Sequence, residues 1–168
     1  MAIAIIKIIK HVAWVVLLGL PMFAYANQYL SVQDFLAKNF SAEPAVEKFW
    51  LNKTHQAKAQ EILGHRVDTI RLRYWVKDNK SAWIIDEIGK EKPITTGIVI
   101  SERSGEAKIE SVEILAFRES RGWEVRYPFF TEQFLGATLT DNDSLDRRID
   151  GITGATMSVR SVTKSSEW

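Results

Sequence analysis

The sequence predicts an α+β fold in which an antiparallel β-meander sheet packs with short helices. Four segments with strand character follow one another between residues 70 and 117, and only short turns separate them. Short connections between consecutive strands favour antiparallel pairing. Helical signals stand before and after this region, so we expect helices to flank the sheet.

Two short helices are expected before the strands. Ser31 can act as the N-cap of the first helix, whose apolar face contains Val32, Phe35 and Leu36. Thr54 can cap a second helix that continues to Gly64, where glycine can end it. Residues 41–52 look irregular around Pro44.

The meander begins where apolar and polar residues alternate over residues 70–76, which indicates a half-buried strand. The next three strands are expected at residues 82–88, 94–101 and 107–117. Turn-forming residues at 78–80 and 103–106 close the first and last hairpins. We expect Trp75 and Trp83 to pack as a cross-strand pair on the first hairpin.

The pattern changes after the fourth strand. Residues 118–127 are dense in charged and aromatic side chains, residues 131–135 suit a short helix, and residues 136–149 form a polar loop. A last helix is expected from about Ala155 to the end, starting just after the Gly154 turn.

The N-terminus has the features of a secretory signal peptide. Lys7 and Lys10 form a basic region, Val12–Leu20 is apolar, and residues 24–26 read Ala-Tyr-Ala, a typical cleavage signature. We therefore expect cleavage after Ala26 and a periplasmic location. Retention of residues 1–26 as a membrane anchor is the alternative, although the lysines and Pro21 interrupt the apolar run.

Composition removes several classes of function. The chain has 168 residues and no cysteine, which excludes disulfides, iron–sulfur clusters and thiolate catalysis. Its three histidines, at positions 11, 55 and 65, form no ligand pattern, and we expect His55 and His65 to be helix-surface residues. The net charge of +1 argues against a nucleic-acid partner. A redox function would therefore require an organic cofactor.

Residues 150–156, DGITGAT, combine features that suit a phosphate. Gly154 permits unusual backbone angles, and Ala155 is too small to block a site. Thr156 then offers a hydroxyl at the start of a helix, where unpaired N–H groups and the helix dipole favour an anion. On this physics alone, a simple helix cap at Asp150 or Thr153 is the favoured interpretation, because such caps are common.

The same residues resemble the flavinylation motif of the FMN-binding domain family, which includes flavin-bearing subunits of the sodium-pumping quinone reductase and of Rnf complexes. The matching positions are Asp150, Thr153, Gly154, Ala155 and Thr156. The resemblance extends over roughly residues 83–168. It implies that residues 81–168 are an FMN-binding domain, preceded by the signal peptide at 1–26 and by helices and a first strand at 27–80.

The resemblance also implies how the cofactor is held. A flavin transferase moves FMN from FAD onto the last threonine of the motif, so Thr156 would carry FMN through a phosphoester. Glu119, Ser120 and Gly122 resemble a family segment that lines the flavin, and Trp123 could stack on the ring. The competing interpretation of residues 118–127 is a solvated edge strand in which Trp123 belongs to the core.

A second Gly-Ala-Thr run at residues 136–138 is a possible decoy. Glu132 stands at the position of the motif's aspartate, but Leu135 replaces the Ser or Thr. We therefore assign the attachment to Thr156 rather than to Thr138.

The leading functional hypothesis is an electron carrier that exchanges electrons with membrane or periplasmic redox partners. The sequence shows no base or nucleophile for a substrate of its own, so we do not expect an enzyme. A flavin-dependent reductase of a small molecule, with Glu119 as proton donor, is the second hypothesis. A cofactor-free adaptor domain is the third, because fold alone does not determine function.

Overall fold

A computed structural model describes residues 27–168, which form one six-stranded antiparallel sheet. The strands are β1 (Asn27–Gln28), β2 (Ala45–Trp50), β3 (Arg71–Lys77), β4 (Lys80–Ile88), β5 (Pro93–Arg103) and β6 (Glu106–Phe117). Their order across the sheet is β1-β6-β5-β4-β3-β2. The signal peptide expected at residues 1–26 lies outside the described residues.

Four α-helices accompany the sheet. They are α1 (Val32–Asn39), α2 (Lys53–Leu63), α3 (Pro128–Thr131) and α4 (Thr156–Glu167). Two 3₁₀ helices, Trp123–Arg126 and Glu132–Phe134, flank α3. The α+β fold with a C-terminal helix is confirmed. Within residues 27–168, no helix is both long and apolar enough to cross a bilayer.

The predicted meander is present as β3 to β6, and its turns follow from the local sequence. Asp78 adopts a φ of 53° between β3 and β4. Ser104 and Gly105, with φ of 55° and 81°, close the β5–β6 hairpin. Two consecutive residues at positive φ suit the tightest hairpin turns, because that backbone twist matches the twist of the strands. Strands β4 to β6 are one to three residues longer than predicted, and β3 is shifted by one residue toward the C-terminus.

The N-terminal half departs from the prediction at two places. Residues 45–50, expected to be irregular, form β2 and pair with β3 from Ala45 opposite Val76 to Trp50 opposite Arg71. All six β2 residues are exposed, so no alternation between apolar and polar positions marks the strand. Helix α2 is capped by Asn52, whose side chain accepts the His55 N–H at 2.9 Å, and not by Thr54.

The expected pairing of Trp75 with Trp83 is wrong. Trp83 lies opposite Tyr74 in the β3–β4 ladder, and the two rings stack with centroids 4.5 Å apart. Trp75 lies opposite Ala82 and packs with the cluster on the other face of the sheet. Adjacent residues of a strand point to opposite faces of the sheet. Because Trp83 pairs with Tyr74 and not with Trp75, the two tryptophans lie on opposite faces.

Two hydrophobic clusters cover the two faces of the sheet. Helix α1 packs on one face through Phe35, which is fully buried with Val99 and Leu115. Gly97 makes this approach possible, because a Cβ there would lie only 2.8 Å from the Phe35 ring. The other cluster joins the sheet to α3, α4 and the polar loop, and its buried residues include Ile94, Ile98, Val112, Phe117, Phe130, Phe134 and Val162.

Helix α4 lies close to the sheet because the face it buries is made of small residues. Ser158, Ser161, Ser165, Ser166 and Val162 are its buried positions. The Ser161 hydroxyl donates to the backbone oxygen of Glu87 in β4 at 3.0 Å. Ser165 and Ser166 donate to the backbone oxygens four residues earlier, so their buried hydroxyls keep a partner.

His65 has a partner that the sequence did not reveal. It follows Gly64, and its Nε2 lies 3.0 Å from each carboxylate oxygen of Glu87, a residue only 5% exposed. The hydrogen bond to Glu87 and a second one to the Arg66 carbonyl raise the pKa of His65 above its ordinary value, and the nearby Lys164 ammonium opposes this rise. The pair ties the end of α2 to the central sheet.

We predict that His65→Ala weakens the fold most at acidic pH. A raised folded-state pKa means that the charged His65 stabilises the protein below its unfolded pKa of about 6.5, and that this contribution is lost as pH rises through the folded pKa. Because the ring is half exposed, the loss at pH 6 should be about 1 kcal/mol. Urea unfolding of both proteins at pH 6 and pH 9 measures it.

Glu87→Gln serves as the control, since it keeps the shape of the pair but removes the carboxylate charge. In that background, the effect of His65→Ala should depend much less on pH, because only the hydrogen bond to the Arg66 carbonyl is left to raise the pKa of His65. An effect of His65→Ala that is equal at both pH values in the Glu87 protein would contradict the assignment.

Candidate functional site

The first turn of α4 lies open at the surface. Gly154 adopts a φ of 83° and sets the direction of the chain before Ala155, the N-cap residue. Ala155 provides no side-chain cap, so the first N–H groups of the helix are available to a ligand. Thr156, the first helical residue, is exposed.

A cavity of about 530 Å³ lies in front of this helix start. Three segments of the chain form its wall: the β4–β5 loop, the residues that follow β6, and the beginning of α4. The lining residues are Lys90, Glu91, Glu119, Ser120, Arg121, Gly154, Ala155, Thr156, Met157 and Ser158. The structure thus brings Glu119 and Ser120 together with Gly154–Thr156, although more than 30 residues separate them in the sequence.

Gly122 closes the contact between the segment after β6 and α4. Its φ is 88°, a conformation that favours glycine. A Cβ at this position would overlap the Ser158 hydroxyl and lie 3.3 Å from the Ala155 Cβ. Gly122 therefore supports the site from behind and does not line the cavity itself.

Glu119 organises the β4–β5 loop. Its Oε1 accepts hydrogen bonds from the backbone N–H groups of Lys90, Glu91 and Lys92 at 2.5, 2.6 and 2.9 Å. Gly89 leaves room for the carboxylate, because a Cβ there would lie 2.9 Å from the same oxygen. Burial raises the pKa of Glu119, but the three N–H donors together lower it by more than burial raises it. The pKa of Glu119 is therefore below its ordinary value.

Besides Gly122, three of the predicted site residues lie outside the cavity wall. Asp150 is exposed, and its N–H donates to the side-chain oxygen of Gln133 at 2.6 Å, which anchors the motif to the 3₁₀ helix Glu132–Phe134. Thr153 is exposed in the turn that precedes α4. Trp123 packs edge-on against Tyr127 at the surface, with ring centroids 5.6 Å apart. Their roles toward a cofactor stay predictions.

The edge-strand interpretation of residues 118–127 is wrong. This segment contains a 3₁₀ helix at Trp123–Arg126, and only Val125 of that helix is buried. Arg126 points toward Tyr29 and away from the cavity, with its guanidinium 4.4 Å from that ring centroid. Arg121 is instead one of the two exposed cations in the cavity wall, together with Lys90.

The decoy Thr138 lies in a different environment. Its N–H donates to the Asp146 carboxylate at 3.3 Å, and its carbonyl oxygen accepts the Asp146 N–H at 2.9 Å. It belongs to a loop and does not begin a helix. The features that favour a phosphate at Thr156 are therefore missing around Thr138.

The site fits a nucleotide-like ligand better than a metal ion. Its volume falls in the range of about 300–1,000 Å³ that small-molecule sites occupy. Gly154 carries no side chain, and no other atom lies within 4 Å of the position that its Cβ would take. A phosphate can therefore approach the helix start closely. In the described part of the chain, no three His, Asp or Glu side chains are placed to hold a metal.

We predict that Gly122→Ala destabilises the protein more than Gly136→Ala. Both changes put a side chain at positive φ, which costs about 1–2 kcal/mol. Only the methyl group at 122 meets the α4 start, and overpacking of this kind adds about 1–3 kcal/mol. Gly136 has no atom within 4 Å of its Cβ position and is the matched control. Equal losses in free energy of unfolding would show that Gly122 makes no close contact with α4.

Comparison with known proteins agrees with this geometry. Residues 89–167 match the family model described as FMN-binding domain, which covers the β4–β5 loop, the β5–β6 hairpin, residues 118–127 and all of α4. No curated protein matches the chain. Every residue of the cavity wall lies within the matched region. Residues 89–167 therefore form an FMN-binding domain, and this part of the chain makes the protein a flavin-binding one.

Proposed function

We propose that this protein is an exported electron carrier whose FMN is attached by a phosphoester to Thr156. One observation carries the proposal: Thr156 stands at the start of α4, which has no side-chain cap, and lines a cavity of about 530 Å³. Thr156 is also the last position of the sequence motif that resembles the family's flavinylation site.

The helix start would hold the phosphate of the cofactor. The first N–H groups of α4 point toward the position that a phosphate on Thr156 would take, and the helix dipole favours a negative charge there. Arg121 and Lys90 in the cavity wall add positive charge nearby. A phosphate on Thr156 would therefore replace the cap that Ala155 does not supply.

The attachment requires a second protein. A neutral threonine hydroxyl is a weak nucleophile, and no histidine lines the cavity. One oxygen of the Glu119 carboxylate, Oε1, already accepts three backbone N–H groups. We therefore propose that a flavin transferase activates Thr156. The threonine oxygen bonds to the phosphorus of FAD's FMN half, the pyrophosphate bond breaks, AMP leaves, and the transferase takes the hydroxyl proton.

A covalent link suits a protein that works outside the cytoplasm, where a lost cofactor could not be replaced easily. FMN supplies one- and two-electron redox chemistry when bound, and the chain supplies its position and surroundings. We propose membrane or periplasmic redox proteins as the donor and acceptor. The signal-peptide features of residues 1–26 support the periplasmic location.

The geometry at Glu119 favours a carrier over a small-molecule reductase. A reductase of this kind needs a proton donor near the substrate, and Glu119 was the candidate for that role. Three N–H donors keep its pKa low, so the carboxylate has no proton to give at neutral pH. Turnover of a small acceptor by the purified protein, without a redox partner, would support the reductase instead. The match to the FMN-binding domain argues against a cofactor-free adaptor.

We predict that Thr156→Ala abolishes covalent flavin, whereas Thr138→Ala retains it. Each protein is co-expressed and exported with a flavin transferase, denatured, and examined for flavin fluorescence on a denaturing gel. Thr156→Ser, which keeps a hydroxyl at the same position, should retain part of the signal. Fluorescence from Thr156→Ala equal to that of the wild type would contradict the assignment of the attachment to Thr156. A wild-type protein without flavin fluorescence would contradict covalent attachment altogether.

A further inference from the structure

An exposed aromatic patch borders the cofactor cavity. We use this name for Trp123, Tyr127 and Phe129, whose exposed fractions are 40%, 38% and 60%. The ring centroids of Trp123 and Tyr127 are 5.6 Å apart, and those of Tyr127 and Phe129 are 6.2 Å apart. Three neighbouring aromatic side chains at the surface indicate an interaction site, because monomeric soluble proteins rarely expose large apolar groups side by side.

Arg126 lies among these rings. Its guanidinium is 4.4 Å from the Tyr29 centroid, 5.1 Å from that of Trp123 and 5.0 Å from that of Tyr127. One of its terminal nitrogens donates to the Tyr127 hydroxyl at 3.2 Å. Tryptophan and tyrosine beside arginine are typical of the membrane–water interface, where an apolar ring and a polar tip are both satisfied.

The N-terminal segment enters the domain next to this patch. Asn27 pairs with Phe117 at the edge of the sheet, and Tyr29, two residues later, lies under the Arg126 guanidinium. The apolar run Val12–Leu20 precedes Asn27 by only six residues. The seven steps from Leu20 to Asn27 span at most about 25 Å when fully extended. If residues 1–26 are retained, a bilayer that holds the apolar run would therefore lie within about 25 Å of Asn27.

We propose that, in a chain that keeps residues 1–26 as an anchor, the aromatic patch rests on the surface of the lipid bilayer. Phe129 and Trp123 enter the interfacial layer, and Arg126 stays at the level of the headgroups. Glu124 and Glu132 lie close by in sequence and offset the cations, so the aromatic rings rather than net charge provide the binding. Zwitterionic and anionic lipids should both be bound.

This orientation places the cofactor cavity beside the membrane. Trp123 follows Gly122 directly, and Gly122 contacts Ser158 and Ala155 at the start of α4. The patch and the cavity wall are thus joined through one residue. The inference concerns lipid contact alone, and it holds whether or not Thr156 carries a covalent flavin.

The absence of cysteine allows a direct test with single labelled positions. Phe129→Cys labels the patch, and Trp50→Cys is the matched control on β2, at the opposite edge of the sheet and 61% exposed against 60% for Phe129. Each full-length chain, with residues 1–26 retained, carries an environment-sensitive dye. It is reconstituted in vesicles of phosphatidylcholine and phosphatidylglycerol, with or without a quencher attached to the lipid acyl chains.

We predict a blue-shifted emission and several-fold stronger lipid quenching at position 129 than at position 50. Adding Trp123→Ser and Tyr127→Ser should reduce quenching at 129 toward the control value, while an unchanged melting temperature shows that the fold is intact. Equal quenching at the two positions would overturn the proposal. A blue shift at 129 that is already complete without lipid would also overturn it, because a protein would then cover the patch.

Discussion

The close approach of α4 to the sheet is the constraint on which the candidate site depends. Four buried serines let the helix backbone come near β4, and the Ser161 hydroxyl fixes the distance by donating to the Glu87 carbonyl. Gly122 then fits against Ser158, where any larger residue would collide. The position of the Thr156 hydroxyl is a consequence of this packing. Longer side chains on the same helix face would lift the helix start away from the residues after β6.

The sheet between β3 and β6 could be predicted because its information is local. The alternation of apolar and polar residues predicted the first strand of the meander, and turn residues such as Asp78 and Gly105 marked the hairpins. Strand β2 could not be found in the same way, since all six of its residues are exposed and its formation depends on pairing with β3. The partner of Trp83 was also missed, because a ladder register is a relation between two strands.

The motif at the start of α4 and the residues after β6 were visible in the sequence, but the β4–β5 loop that completes the cavity wall was not. Residues 90–92 contribute backbone N–H groups to Glu119, and any residue except proline can supply such a group. No sequence pattern therefore marks the loop, although Gly89 was a signal of close backbone approach. The serine face of α4 was missed for a related reason, because a periodic search looks for apolar residues and serine is counted as polar.

The attachment of FMN to Thr156 is the central claim, and peptide mapping of the flavinylated protein tests it most directly. Trypsin should release Ile149–Arg160, which contains Thr153, Thr156 and Ser158. We predict that this peptide carries the mass of FMN less one water and that its fragments place the added mass on Thr156. The same added mass on Thr153, on Ser158, or on the peptide that contains Thr138 would contradict the account.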